Sequence, residues 1–147
     1  MRTFGFGDRG PETIKGATVL VPEFSLHVQC SWRIVRDGSI VAGYTDWWFP
    51  PAGVSEDGWV ARDAPRSHQD ELMETFIAHG DEAHLVTTAT GASTGDLRIW
   101  LNDGCLLEVI PDSATQVSEG LEDEYWRLIR RHHDGRHFVV TAHGIET

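Results

Sequence analysis

The sequence predicts an α+β domain: a twisted, mostly antiparallel sheet built from hairpins, with one main helix packed on it. Three observations carry this. Apolar and polar residues alternate in short runs, as half-buried strands require. Asp-Gly pairs punctuate those runs at Asp37-Gly38, Asp103-Gly104 and Asp134-Gly135, the strongest short-range hairpin signal. Only 67–79 combines an N-cap residue, first-turn acids and helical spacing without a competing strand reading.

Taken in order, the N-terminal "FGFGDRGPETIKGATVLV" either adds an edge strand or exchanges between chains, and its pattern leaves both open. In "SLHVQCSWRIV" (25–35), Leu26, Val28, Cys30, Trp32 and Ile34 fall on one side of an extended chain, and His27, Gln29, Ser31 and Arg33 on the other. A three-residue turn, Arg36-Asp37-Gly38, pairs Ile34 with Ile40, Trp32 with Ala42 and Cys30 with Tyr44. Continued outward, that register sets His27 opposite Trp47 and Gln29 opposite Thr45. Trp47 and Trp48, on one strand, then point to opposite faces. Pro50-Pro51, Gly53 and Gly58 make "FPPAGVSEDGWVARDAPRS" a loop.

The helix follows. Ser67 is its N-cap, Asp70 and Glu71 lie in the first turn, and Gly80 stops it. Leu72, Met73, Phe76 and Ile77 form the stripe that would cover the sheet. Residues 84–90, "HLVTTAT", are β-prone. In "DLRIWLNDGCLLEVIP" (96–111), a loop of Asn102-Asp103-Gly104 pairs Ile99 with Leu107, Leu97 with Val109, Trp100 with Leu106 and Arg98 with Glu108. That register makes one face wholly apolar, with Gly104 in the left-handed position of a bulged turn. "DSATQVSEG" is a polar linker. Residues 124–131 read as a strand because an Asp-Gly turn follows, although Leu121, Tyr125, Leu128 and His132 share a helical face. A loop of His133-Asp134-Gly135 pairs Arg130 with Phe138, Leu128 with Val140 and Trp126 with Ala142.

The chain's 147 residues fit a single domain, 1–147. Lys+Arg 12 against Asp+Glu 23 gives 12 − 23 = −11. Such a field opposes nucleic acid and anionic membranes, and suits a basic protein partner or simple solubility. Cys30 and Cys105 sit in apolar rows and read as reduced and structural, which points to a cytoplasmic setting. No apolar leader or membrane-spanning run is visible.

No signature of catalysis emerges. The chain has no Gly-x-Ser-x-Gly elbow, and "GASTGD" lacks the Lys and following helix of a phosphate loop. "HHDGRH" gathers His132, His133 and His137, but at no spacing used for zinc. The expectation is therefore no catalytic residues, no metal and no cofactor. Candidate binding residues remain. His27, Gln29 and Arg33 line the polar row, which an antiparallel sheet also shows wherever its second face meets water. Arg33 and Arg127, each following a Trp, would flank an anion if their strands are neighbours. Salt bridges to Asp46, Glu108 or Glu124 are the competing expectation. The outward member of Trp47-Trp48 is the best anchor for a protein contact. Glu119, Glu122, Asp123 and Glu124, followed by Arg127, Arg130, Arg131 and Arg136, suit a homodimer contact or internal pairing.

"LHVQCSWRI", "GYTDWW", "EYWRL" and "HFVVT" together resemble a family of short bacterial proteins that carry a domain of unknown function, over residues 25 to 141. The resemblance implies a small domain and transfers no site residues. Taken together, these readings lead to an acidic binding or protein-interaction module, by analogy of the immunity type that neutralises a basic partner. The alternative is a small-molecule-binding protein or enzyme using the face around His27, Gln29 and Arg33.

Overall fold

The computed structural model describes residues 1–78, 84–113, 124–131 and 137–146. In chain order these form β1 (Arg2–Ile14), β2 (Ala17–Val28), β3 (Ser31–Arg36), β4 (Ser39–Gly43), 3₁₀ turns at Tyr44–Trp48 and Ala61–Asp63, and α1 (His68–Ile77). There follow β5 (Val86–Gly91), β6 (Leu97–Leu101), β7 (Leu106–Ile110), β8 (Glu124–Arg130), β9 (Phe138–Thr141) and β10 (Gly144–Glu146). The α+β class and the antiparallel pairing stand. The single sheet does not, because the strands form two five-stranded sheets, ordered β1-β2-β8-β9-β10 and β4-β3-β7-β6-β5. No helix among the described residues is long and apolar enough to cross a membrane.

The chain divides into two compact units. One comprises Met1–Cys30, Ser93–Gly95 and Pro111–Thr147, the other Ser31–Ala92 and Asp96–Ile110. The stretch 25–35 is thus not one strand. β2 ends at Val28, β3 begins at Ser31, and the two strands join different sheets.

In the first unit, β1 and β2 make a long hairpin closed by Lys15-Gly16, at φ 50° and 82°. Two successive left-handed residues give the turn whose twist matches that of the strands it joins. The N-terminal segment is therefore paired within its own chain. β2 then pairs with β8, Leu26 opposite Leu128 and Val28 opposite Trp126. Leu26, Val28, Trp126 and Val140 are buried. The strand reading of 124–131 holds over Glu124–Arg130. Its pairing with β9 is displaced by two residues from the expected register, Leu128 facing Phe138 and Trp126 facing Val140. A shift of two keeps every side chain on its face. The His133-Asp134-Gly135 tip lies outside the described residues.

In the second unit, β6 and β7 pair in the expected register, Arg98 opposite Glu108 and Ile99 opposite Leu107. Gly104 adopts φ 79° and donates its N–H to the Leu101 carbonyl. The first hairpin differs. Its loop is Asp37-Gly38 alone, with both residues at positive φ, so Arg36 pairs with Ser39 and Val35 with Ile40. Left uncorrected, that register would set Val41 opposite buried Ile34 and turn Ala42 outward. A bulge between Ile34 and Val35 restores the faces, placing buried Ile34 opposite buried Ala42 and leaving Ile40 exposed.

The helix expectation holds over His68–Ile77. Ser67 accepts the Asp70 N–H, and the Asp70 carboxylate accepts from the Ser67 N–H, a reciprocal cap. Its buried stripe is Gln69, Met73 and Phe76, whereas Ile77 is exposed. The helix lies beside β4 and the Tyr44–Trp48 turn. The Gly80 stop lies outside the described residues.

Candidate functional site

Trp47 and Trp48 do not occupy a strand. Gly43 ends β4, its N–H donates to the Asp46 carboxylate at 2.7 Å, and the chain winds into the 3₁₀ turn Tyr44–Trp48. A 3₁₀ turn advances about 120° per residue, so neighbouring side chains do not alternate between opposite faces as they would in a strand. Both indoles meet solvent, Trp47 at 37 % and Trp48 at 58 % relative exposure, and Phe49 follows at 49 %.

The frame beneath this ledge is tightly bonded. The Gln69 amide donates to the carbonyls of Gly43 and Tyr44 at 2.9 and 3.1 Å. The His68 N–H donates to the Phe49 carbonyl at 2.9 Å. The Ala52 N–H donates to the Glu71 carboxylate at 2.9 Å, which holds that carboxyl below the ordinary glutamate range. The helix thus pins the loop by its backbone and leaves the aromatic side chains outside. Downstream, Pro51, Val54, Trp59, Val60, Ala64 and Pro65 line a mainly apolar groove of about 490 Å³, with Asp63 and Arg66 as its charged members. Glu56 and Asp57 are exposed in the same loop. Sequence reasoning treated 49–67 only as a connection. The signal was there, since a merely solvated loop has little use for Trp59, Val54, Val60 and three prolines.

The polar row divides between the units. In the first, His27 stands opposite Arg127 rather than Trp47. The His27 imidazole is held below its ordinary pKa, first by burial and then by the Arg127 charge. Arg127 donates Nε to Glu124 at 2.7 Å and a second N–H to the other carboxylate oxygen. Gln29 also hydrogen-bonds Glu124. The Glu124 side chain is 1 % exposed, and the Arg127 bonds lower its pKa despite burial. His27, Gln29 and Arg127 therefore gather around a buried carboxylate, which the sequence offered only as an ion-pair partner.

Arg33 belongs to the other unit. Its Nε donates to Glu108 at 2.7 Å, and Arg98 reaches the other oxygen of that carboxylate at 3.2 Å. β3 and β8 are not neighbours, so Arg33 and Arg127 do not flank an anion on adjacent strands. The salt-bridge expectation prevails for both: each guanidinium is committed to a carboxylate.

A third cluster was not anticipated. Cys105, buried, lies 2.9 Å from Arg36 Nε and donates to Asp103 at 3.2 Å. Asp103 also takes Arg36 Nη2 at 2.8 Å and faces His84 Nδ1 at 3.1 Å. Burial pushes the Cys105 thiol up, the opposite of what a nucleophile needs. The guanidinium bridges the sulfur and the carboxylate, which are themselves hydrogen-bonded, so the cluster reads as a polar clasp. Among the described residues no group of three or more His, Cys, Asp or Glu is arranged to hold a metal. His132 and His133, and the acids Glu119, Glu122 and Asp123, lie outside the described residues. Comparison with protein-family models, curated proteins and solved structures finds no match.

Proposed function

We propose that this chain is a non-enzymatic protein-interaction module, and that it holds its partner on the Trp47-Trp48-Phe49 ledge and the adjoining 51–66 groove. The observation carrying the reading is that three consecutive large aromatic residues are exposed on a backbone fixed by hydrogen bonds from α1. Exposed apolar side chains cost solubility, and pre-ordered ones lose little entropy on binding. Trp is also the residue most enriched at interface hot spots. The partner is a basic protein segment with apolar anchors. Glu56, Asp57 and Asp63 are exposed along the loop, and the chain's net charge is −11. An immunity-type pairing with a basic toxin is one instance of that chemistry.

A second reading, a small-molecule-binding protein or enzyme, draws support from His27 and Gln29 meeting at Glu124. The engagement of Arg127 by Glu124 and of Arg33 Nε by Glu108 weakens it, because both guanidinium groups already answer an acid of this chain.

Selection of a random-peptide phage library on the immobilised protein tests the first reading. Peptides combining Lys or Arg with Leu, Pro or aromatic residues are expected, and their binding should fall at least tenfold on a Trp47→Ala, Trp48→Ala variant. Failure to enrich any peptide, or equal binding to the variant, overturns it.

A further inference from the structure

The two sheets differ in how their outer edges are protected. β1 carries Arg2, Asp8, Arg9, Pro11 and Glu12 together with a bulge, and β10 is three residues long. β4 is overlaid at its end by α1, with Ala42 and Gly43 buried. These are the usual devices against edge-to-edge pairing. β5 has none of the chemical ones. Val86-Thr87-Thr88-Ala89-Thr90-Gly91 has no charge and no proline, all six residues are exposed, and among the described residues its sheet ends there. Its single irregularity, between Val86 and Thr88, lies at its start.

The backbone direction along β5 can be assigned. Ala92 donates its N–H to the Asp96 carbonyl across the turn. In an antiparallel ladder alternate residues bond to the same neighbour, so Thr90 and Thr88 face β6, opposite Arg98 and Trp100. Ala89 and Gly91 then present their N–H and C=O groups to the open side. Edge groups of this kind are a template for a further strand.

We infer that β5 is a self-association edge, pairing antiparallel with β5 of a second copy about a two-fold axis through Ala89. The occupant is set by charge. A chain of net charge −11 meets its own copy at least cost where no charge stands on either side, and β5 is such a segment. A two-fold antiparallel pair is self-complementary by construction. In the register centred on Ala89, Ala89 faces its equivalent, Thr88 faces Thr90, and Thr87 faces Gly91. The two Thr88–Thr90 pairs bring β-branched, hydrogen-bonding side chains together across the seam. The association is weak and concentration-dependent, because one short strand per copy buries little area. This inference is independent of the aromatic ledge.

Two measurements on the full chain test it. Sedimentation velocity from low micromolar to millimolar protein is expected to show a monomer–dimer equilibrium. Ala89→Pro is expected to weaken dimerisation more than tenfold with the monomer fold retained by circular dichroism, since the lost N–H points away from β6. Ala89→Cys under mild oxidation is expected to give a disulfide-linked dimer, because directly opposed hydrogen-bonded residues stand about 5.5 Å apart at Cα, within disulfide reach. A protein that stays monomeric at every concentration overturns the inference. So does a dimer indifferent to Ala89→Pro, or an Ala89→Cys variant that forms no cross-link.

Discussion

Arg36 Nε lies 2.9 Å from the buried sulfur of Cys105, and the same guanidinium reaches Asp103 at 2.8 Å. One side chain from β3 thereby ties together both flanks of the Asp103-Gly104 turn. Cys105 is expected to behave as a protonated, inert thiol, because burial pushes its pKa up and Asp103 accepts its S–H. Alkylation of the folded protein by iodoacetamide at pH 8, followed by peptide mass mapping, should leave Cys105 unmodified until denaturant is added. Rapid labelling in the native state would show that the clasp is absent.

Removing the clasp tests its structural weight. Asp103→Ala strips Arg36, the Cys105 thiol and the Cys105 N–H of an acceptor. The loss of several bonds at a partly buried carboxylate is expected to cost about 2–3 kcal/mol in urea unfolding. A change below about 0.5 kcal/mol would place those groups in water instead.

Ser67 is 1 % exposed and caps α1 reciprocally with Asp70. Ser67→Ala is expected to destabilise the protein by about 1–2 kcal/mol. Because α1 holds the aromatic ledge by backbone bonds, the same variant should speed amide exchange at His68 and Asp70. An unchanged unfolding midpoint and unchanged exchange would separate cap from ledge.

Gly95 is a test of close packing. It sits at φ 90°, and a Cβ placed there would lie 2.8 Å from Val140 Cγ1, while its carbonyl accepts the Trp126 indole N–H at 2.7 Å. Gly95→Ala combines left-handed strain with a clash, and is expected to cost about 2–4 kcal/mol. Stability equal to that of the unaltered chain would mean the 93–95 segment is free to move away.

Acid sensitivity is expected from Glu124 and His27. Both carry folded-state pKa values below their unfolded ones, Glu124 chiefly through Arg127 and His27 chiefly through burial. In each case the unfolded chain takes up its proton first as pH falls. The His27 contribution is therefore complete above about pH 6.5, that of Glu124 above about pH 4.3, and each is lost as pH drops through the folded value. Unfolding free energy should fall as pH drops below about 6.5, and that slope should flatten in His27→Gln. A slope unaltered by the substitution would assign the pH response to other groups.

Much of the local structure was legible because it depends on neighbours in sequence. The Asn102-Asp103-Gly104 register followed from requiring Ile99, Leu107 and Val109 to share a face, and the cap of α1 from Ser67 and Asp70. The division into two sheets was not legible. Leu26, Val28, Cys30, Trp32 and Ile34 are all buried and alternate without a break, so nothing in their pattern marks the end of β2 at Val28. The first hairpin failed for a related reason. A two-residue turn with a bulge and a three-residue turn both bury Ile34 and Ala42, and periodicity alone does not separate them. At the candidate site, Trp47 and Trp48 were found by residue type and Glu124 was named as an ion-pair partner, whereas the burial of Glu124 was not legible because it depends on β2 and Gln29, far away in sequence.

The account turns on where a partner sits. Titration of ¹⁵N-labelled protein with a basic, apolar peptide selected on it reads this directly through indole and amide shifts. The largest changes should fall on the Trp47 and Trp48 indoles and on residues 44–66, with His27, Gln29 and Arg127 unmoved. Shifts centred on His27, Gln29 and Glu124, with the two indoles unchanged, would contradict the account.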